Sequence, residues 1–433
     1  MNYTETLDYI KNRDAMGIIP GLNTINGLLS RLGNPQKDIP AVHIAGTNGK
    51  GSIMAFVEES LVEMGLRVGR YISPSVFDYR DKWLLNKEWA SESDVAWALT
   101  EAARKAEEME SDGLSGPTVF ELETAAAFLL FKKWQVDIIL LECGMGGRLD
   151  ATNVDFSNKI NILASVSMDH MQYLGDSISS ITKEKLGIVH PGQSLVVYPG
   201  CNEMIEAVKD FENEYSHADN DAEITITYAD ASAVSVLSET PSGSVFTYKG
   251  KTYEISLAGD YQIYNAITAI EALELIISKF GGTYDIISRG LQNTVWDGRF
   301  TVIKKKNTFI IDGAHNEDAW NKLRESLDKC FTNKKFVYII SVLADKEYFK
   351  MIDILGPTIE KVYCVTSSNK RALDSKALCQ EFKRAGIDAE SAKNMDKALD
   401  AAMDFSTESS KEIVITGTLS VLGDIIKCIK SMP

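Results

Sequence analysis

Residues 136–141 read Val136-Asp137-Ile138-Ile139-Leu140-Leu141, an apolar run in which hydrophobic side chains do not alternate with polar ones. A strand of that composition must be covered on both faces, as in a parallel sheet whose crossover connections lay helices on each side. The same rhythm recurs along the chain. β-rich runs at residues 39–45, 67–72, 160–165 and 194–197 are interleaved with helical patterns at 50–64, 93–110 and 119–134. That order is the signature of βαβ units. Between residues 224 and 257 the pattern changes to alternating strands with turns at Pro241-Ser242-Gly243 and Lys249-Gly250, which reads as an antiparallel insertion or edge hairpin. A helix over residues 265–279 closes the first half.

The α/β rhythm then restarts, with strands expected at 309–311, 335–341, 362–365 and 412–416 and helices near 318–330, 375–385 and 398–404. The expected fold class is α/β: a phosphate-loop-containing, mostly parallel sheet over residues 1–297, then a smaller Rossmann-like α/β domain over 298–433. The hinge is placed near Trp296 to Phe300. A chain of 433 residues has room for two or three domains. No fixed-period repeat is present, and the one markedly polar stretch is residues 212–223.

Charge excludes some functions. With 45 Lys+Arg against 61 Asp+Glu, the formal net charge is −16. An acidic chain lacks the basic face that nucleic acid requires, although a local basic pocket for a small anion remains open. The six cysteines, Cys143, Cys201, Cys330, Cys364, Cys379 and Cys428, are widely spaced and form no C-x-x-C pair, so they read as reduced thiols. The first residues lack a basic segment followed by an apolar one, and no run of 18 apolar residues occurs. A cytoplasmic protein without a membrane segment is expected.

Gly46-Thr47-Asn48-Gly49-Lys50-Gly51-Ser52 lies between the strand at 39–45 and the helix at 50–64. Glycines allow backbone N–H groups to approach phosphate oxygens, the helix N-terminus favours an anion, and Lys50 can neutralise terminal phosphates. Gly51 separates Lys50 from Ser52, so the spacing differs from the common G-x-x-x-x-G-K-[ST]. The bland alternative is a glycine turn with no ligand. Glu142 ends the apolar strand, at the sheet edge where open α/β proteins place ligand chemistry. One carboxylate, one hydroxyl and nucleotide oxygens suffice for Mg²⁺, which retains several waters. His170 follows another strand, in Ser167-Met168-Asp169-His170. Arg299 suits bidentate phosphate binding, and Asp312 can accept from ribose hydroxyls. An ion pair between those last two is their structural alternative.

Further motifs appear in order: Gly17-Ile18, Gly21-Leu22, Leu32-Gly33-Asn34-Pro35, Ser73-Pro74, Pro117-Thr118 through Phe120-Glu121, and Leu141-Glu142-Cys143-Gly144-Met145-Gly146-Gly147-Arg148-Leu149-Asp150-Ala151-Thr152-Asn153. They continue through Asp169-His170, Leu174-Gly175, Glu184-Lys185-Leu186-Gly187-Ile188, Gln262 to Asn265-Ala266, Gly298-Arg299, Asp312-Gly313-Ala314-His315-Asn316 and Asp345-Lys346. Together with the Gly-Thr-Asn-Gly-Lys-Gly-Ser loop, this series resembles the folate branch of the Mur ligase superfamily, folylpolyglutamate synthase and dihydrofolate synthase.

The resemblance implies ATP-driven amide formation through an acyl phosphate, with ATP, L-glutamate and a folate or dihydropteroate as substrates. It assigns ATP to Gly46, Thr47, Asn48, Gly49, Lys50, Gly51, Ser52, Asn265, Arg299, Asp312 and His315, and catalytic roles to Lys50, Lys185 and His170. It assigns folate to Thr118, Val119, Phe120, Glu121 and Asp150, and two magnesium ions to Ser73, Glu142, His170 and Lys185, with Lys185 carbamylated. A monomer is expected.

Departures from the family pattern are Ser75 after Ser73-Pro74, the stretch Arg80-Asp81-Lys82-Trp83, Leu186, Tyr261, Asp297, Glu317 and Gly417-Thr418-Leu419-Ser420. None removes a phosphate or metal residue. They bear on substrate preference more than on reaction type. The rivals are an enzyme that only lengthens polyglutamate tails, a UDP-muramyl amino-acid ligase, a GTPase (neither Asn158-Lys159-Ile160-Asn161 nor Asn369-Lys370-Arg371-Ala372 fits its guanine motif), and a non-catalytic folate- or nucleotide-binding protein.

Overall fold

The structure is a computed structural model that describes residues 1–13, 17, 19–216, 223–331 and 335–432. Ile18 of the N-terminal motif and residues 217–222 of the polar stretch lie outside the described residues. The apolar runs form the strands β1 (Ala41–Ala45), β2 (Val68–Tyr71), β3 (Trp83–Leu85), β4 (Glu88–Trp89), β5 (Ile138–Glu142), β6 (Lys159–Leu163), β7 (Ser194–Val197) and β8 (Thr225–Tyr228). They make one sheet in the order β4-β3-β2-β5-β1-β6-β7-β8. The six strands from β2 to β8 in that order are parallel, while β3 and β4 add antiparallel pairs at one edge.

From β1 the chain crosses to β2 on one side, and from β5 it crosses to β6 on the other. The direction of winding therefore reverses at β1. In open α/β sheets, ligands bind at the carboxyl ends of the strands beside such a switch. The loops that follow β2, β1 and β6 leave the same edge and lead into Ser73, residues 46–52 and His170 respectively, while Glu142 is the last residue of β5 at that edge.

Beneath that edge, Leu122, Ala125, Ala126 and Phe128 of the helix Val119–Lys133 share a core cluster with Ala41, Tyr71, Ile139 and Leu141. Side chains alternate along a strand, so His43 lies on the same face of β1 as Ala41. Among the described residues, no helix is long and apolar enough to cross a membrane, and the six cysteines are free thiols.

The stretch at residues 224–257 divides in two. Thr225–Tyr228 is β8, parallel to β7 and part of the large sheet, where an antiparallel insertion was expected. The register of Ser194 with Thr225 through Val197 with Tyr228 uses the exposed backbone edge of β7. Only β9 (Val234–Thr240), β10 (Gly243–Tyr248) and β11 (Lys251–Ile255) form an antiparallel sheet.

A third sheet contains β12 (Thr301–Lys304), β13 (Thr308–Ile311), β14 (Phe336–Ile340), β15 (Ile359–Cys364), β16 (Ala389–Ser391) and β17 (Ile413–Thr416), in the order β12-β13-β17-β14-β15-β16. Apart from the β12–β13 hairpin it is parallel. The chain forms two compact units: Met1–Ser75, Tyr79–Ala231 and Tyr264–Leu291 in one, Val76–Asp78, Ser232–Ile263 and Gln292–Pro433 in the other. The three-stranded sheet thus belongs to the second unit.

Candidate active site

β1 ends at Ala45 because Gly46 and Gly49 turn the chain into the helix Lys50–Glu63. Gly49 has φ +84°, a left-handed conformation that glycine adopts without steric cost. A Cβ on Gly49 would lie 2.6 Å from Oδ1 of Asn265, which puts that buried amide directly against the loop. Thr47 and Asn48 do not direct their amides outward. Both donate to the Ser165 carbonyl, at 2.7 and 3.2 Å, and the Thr47 hydroxyl donates to the Ser167 carbonyl at 3.1 Å. The loop is thereby fastened to the segment after β6. In the first turn of the helix, the amides of Lys50, Gly51 and Ser52 have no carbonyl partner within the helix itself, which is the geometry an anion at a helix N-terminus uses.

Lys50 folds back over this turn. Its Nζ donates to the carbonyls of Gly46 and Thr47, each at 3.1 Å, and stands 3.7 Å from Oε1 of Glu142. Glu142 is the last residue of β5, where it is paired in register with Ile44 of β1. Lys185, near the end of the helix Ile178–Leu186, also donates to the Gly46 carbonyl at 3.1 Å. It is 4% exposed. Burial, reinforced by the positive charge of Lys50, pulls its amine down to about 7. A lysine in that condition is largely able to present a neutral, nucleophilic nitrogen near neutral pH.

The turn at residues 144–153 locks onto the helix that carries Lys185. The Arg148 amide donates to the Glu184 carbonyl at 2.9 Å, their side chains form an ion pair at 2.7 Å, and Asn153 Nδ2 donates to the Gly187 carbonyl at 2.9 Å. Within the turn, Asp150 accepts from the Met145 amide at 2.8 Å, the Thr152 amide at 2.9 Å and the Thr152 hydroxyl at 2.5 Å. Burial pushes its carboxyl up, and these hydrogen bonds oppose that shift. Gly144 lies close against the Cζ end of the Phe120 ring, where a Cβ would come within 2.7 Å of Cζ. Phe120 in turn stacks on Tyr71, with ring centroids 6.2 Å apart.

Thr118 and Glu121 form a capping box: the Glu121 amide donates to Thr118 Oγ1 at 3.3 Å and the Thr118 amide to Glu121 Oε2 at 2.7 Å. Val119 and Phe120 are half-buried against the core.

Ser73, two residues beyond the end of β2, is joined to Pro74 by a cis peptide bond. His170 is exposed, has φ +52°, and its amide donates to Asp169 Oδ1 at 2.9 Å. Among the described residues, no three His, Cys, Asp or Glu side chains stand close enough to hold a metal by themselves. A carboxylate such as Glu142 at the strand ends fits Mg²⁺, which completes its shell with water and substrate oxygens. The donor chemistry suits that ion better than zinc or iron.

Arg299, Asp312 and His315 lie in the second unit. Asp312, directly after β13, accepts from the amides of Phe300 and Ala314, each at 2.8 Å, and is hydrogen-bonded with Tyr261. Burial raises its carboxyl, while Arg299 opposes that rise. His315 Nδ1 donates to the Gly313 carbonyl at 2.8 Å, which fixes the ring orientation. Geometry therefore gathers residues 46–52, Glu142, Lys185 and Asn265 in one unit, and Arg299 and Asp312 in the other. Sequence reading passed over Ser165, which holds the loop, and His43. A single histidine inside the strand Ala41-Val42-His43-Ile44-Ala45 was the available signal.

A glycine loop at the switch point of a parallel sheet, with a lysine and a strand-end carboxylate 3.7 Å apart, defines a nucleotide-dependent α/β protein. Comparison with known proteins narrows the class. Residues 44–273 match the Mur ligase middle domain, and residues 298–419 match the Mur ligase glutamate ligase domain. The dihydrofolate synthase/folylpolyglutamate synthase of Bacillus subtilis is 32% identical over 99% of both chains.

Among solved structures, the folylpolyglutamate synthase of Mycobacterium tuberculosis complexed with ADP has a TM-score of 0.88 at 27% identity, covering 100% of this chain and 99% of that one. The folylpolyglutamate synthase of Thermotoga maritima gives 0.82 at 31% identity, covering 99% and 97%. The chain belongs to the Mur ligase superfamily, in its folylpolyglutamate synthase/dihydrofolate synthase branch.

Proposed function

We propose that this chain is an ATP-dependent ligase that adds L-glutamate to folates, and also to dihydropteroate. The observation that carries the reading is the convergence of Lys50 and Lys185 on the Gly46 carbonyl, with Glu142 3.7 Å from Lys50. The acceptor carboxylate attacks the γ-phosphorus of ATP, the bond to ADP breaks, and an acyl phosphate forms. The amine of L-glutamate then attacks that carbonyl carbon and phosphate leaves. Two anions must meet in the first step. Lys50 and the helix N-terminal amides offset their repulsion and the charge on the transferring phosphoryl group. Mg²⁺, when bound, supplies a hard cation for the phosphate oxygens, with Glu142, Ser73 and His170 as its assigned protein ligands. Lys185 joins them as a carbamate, a modification that the neutral amine favours.

ATP is assigned to residues 46–52, Asn265, Arg299, Asp312 and His315, and the folate to residues 118–121 and Asp150. For Thr118, Glu121 and Asp150 this role is additional to the local hydrogen bonds they make. Residues 1–297 and 298–433 are the proposed functional domains, acting as a monomer in the cytoplasm.

The test is ADP release with Mg·ATP, L-glutamate and bicarbonate, with dihydropteroate or tetrahydrofolate as acceptor. Turnover with both establishes the bifunctional synthase. Turnover with tetrahydrofolate alone restricts it to polyglutamylation, and loss of turnover on chelation of magnesium checks the metal. Folded protein inactive with both acceptors overturns the reading.

A further inference from the structure

A string of buried polar side chains runs through the interior beneath the β1–β5 edge. His43, fully buried in β1, places Nε2 2.8 Å from Thr152 Oγ1 and 3.0 Å from Cys143 Sγ. Thr152 Oγ1 lies 2.5 Å from Asp150 Oδ1. The proton positions follow from elementary accounting. A carboxylate accepting two backbone amides is acceptor-only, so the Thr152 hydroxyl proton belongs to Asp150. Thr152 Oγ1 then has only lone pairs to offer His43, and Nε2 must carry the hydrogen. Nδ1 is left as a bare acceptor, consistent with its having no hydrogen-bond partner among the described residues. The opposite tautomer would bury an unpaired N–H, which folded proteins tolerate less well than an unpaired lone pair.

Neither ring nor thiol is set up for chemistry. Burial drives the imidazole well below its ordinary range and the Cys143 thiol well above its own, so the pair is neutral. The string instead reaches two neighbours of the reaction. Asp150 organises the turn at residues 144–153, and that turn grips the helix bearing Lys185 through Arg148 and Asn153.

We propose that His43 is a positioning residue for the ligase reaction: as the Nε2–H tautomer it donates to Thr152, commits the Thr152 hydroxyl to Asp150, and so fixes the carboxylate assigned to the folate. The inference rests on the ligase reading for its kinetic consequence, but its hydrogen-bond content is independent of that reading. The phosphate loop has its own fastening, the Thr47 and Asn48 amides on the Ser165 carbonyl, and meets the relay's turn only through Lys185 on the Gly46 carbonyl, so the relay acts on the acceptor side more than on ATP binding.

The test has two arms. Long-range ¹H–¹⁵N correlation on the ¹⁵N-histidine-labelled full chain, without substrates, reads the tautomer of His43, whose signals are identified by their loss in His43→Gln. The Nε2–H pattern is expected, and the Nδ1–H pattern overturns the proposal whether or not the chain is a ligase. In the kinetic arm, His43→Leu is expected to raise KM for the folate acceptor about tenfold with KM for ATP changed less than about twofold, as loss of one buried hydrogen bond implies.

His43→Gln places an amide N–H where Nε2 was and is expected to restore the acceptor KM. Where His43→Leu does not fold, Thr152→Val against Thr152→Ser makes the same comparison. An unchanged acceptor KM in folded His43→Leu or Thr152→Val, or equal rises in both KM values, refutes the positioning role.

Discussion

Lys50 and Lys185 donate to the same oxygen: each Nζ lies 3.1 Å from the carbonyl of Gly46. Two ammonium groups on one acceptor repel, and the more deeply buried of them is the cheaper one to discharge. That is Lys185, pulled from 10.5 to about 7 first by burial and then by Lys50. The neutral amine is the form that attacks the carbon of CO₂, so the same arrangement that destabilises the charge supports the proposed carbamate at Lys185.

With ¹³C-bicarbonate, a carbamate carbon resonance is expected in the protein and is expected to vanish in Lys185→Arg, whose side chain stays charged. Activity should fall about 10- to 100-fold in that variant, on the scale of losing a metal-site group. In metal-free, CO₂-free buffer the lysine also has a stability signature. Its amine titrates near 7 folded and near about 10.4 unfolded. Between those values the unfolded chain holds the extra proton, so stability rises with pH across that window and the contribution flattens below about 7. Lys185→Met should remove this slope in melting temperatures taken across the window. A Met variant with the wild-type slope contradicts it.

Gly49 and Asn265 are a second coupled pair. Gly49→Ala imposes a left-handed conformation on an L-residue, at a cost of about 1–2 kcal/mol, and drives a methyl to 2.6 Å from Asn265 Oδ1. Only the second effect depends on Asn265. The double variant with Asn265→Ala should therefore be less destabilised than the sum of the singles, by about 1 kcal/mol on the scale of contacting residues. Urea unfolding of the four proteins measures it, and strict additivity means the loop does not rest on Asn265.

Much of this site is legible in the amino-acid order because its parts are local. The apolar run 136–141 requires a buried strand, and β5 ends on Glu142, one residue beyond that run. Glycines between a strand and a helix locate residues 46–52 without further information. Thr118-x-x-Glu121 before an apolar stretch carries the capping spacing, the same residues that the family resemblance assigns to folate. What sequence cannot supply is pairing across long separations. Ser165 holding Thr47, or Lys185 reaching Gly46 across 139 positions, depends on the winding of the whole sheet. Strand β8 escaped for a related reason: Thr225–Tyr228 has the composition of a hairpin, and the free edge of β7 decides where it pairs.

The capping box at the head of the helix Val119–Lys133 makes a prediction that separates architecture from binding. Thr118→Ala removes the side-chain acceptor for the Glu121 amide and should cost about 1 kcal/mol of stability, within the range of about 0.5–2 for lost N-caps. Thr118→Ser keeps the cap and should recover the stability. If the acceptor KM follows stability through both variants, the helix terminus positions the Phe120 region. A Thr118→Ser variant that is stable yet weak for folate instead assigns the methyl group to substrate contact. No stability loss in Thr118→Ala is incompatible with the cap.

In the second unit, Asp312 holds two amides at once, Phe300 on Oδ2 and Ala314 on Oδ1, both at 2.8 Å. Phe300 sits at φ +48°, where a bulky residue is strained, and its amide is held there by this carboxylate. Asp312→Asn keeps the shape but turns one acceptor into an NH₂ that faces an N–H. An unsatisfied buried donor costs about 1–3 kcal/mol. The loss should be local. Hydrogen exchange at the Phe300 and Ala314 amides is expected to quicken, while Ile139 and Leu141 in β5 keep their protection. Unchanged exchange at Phe300 and Ala314 in Asp312→Asn removes the carboxylate from its structural role, and any rise in KM for ATP would then belong to direct contact with the nucleotide alone.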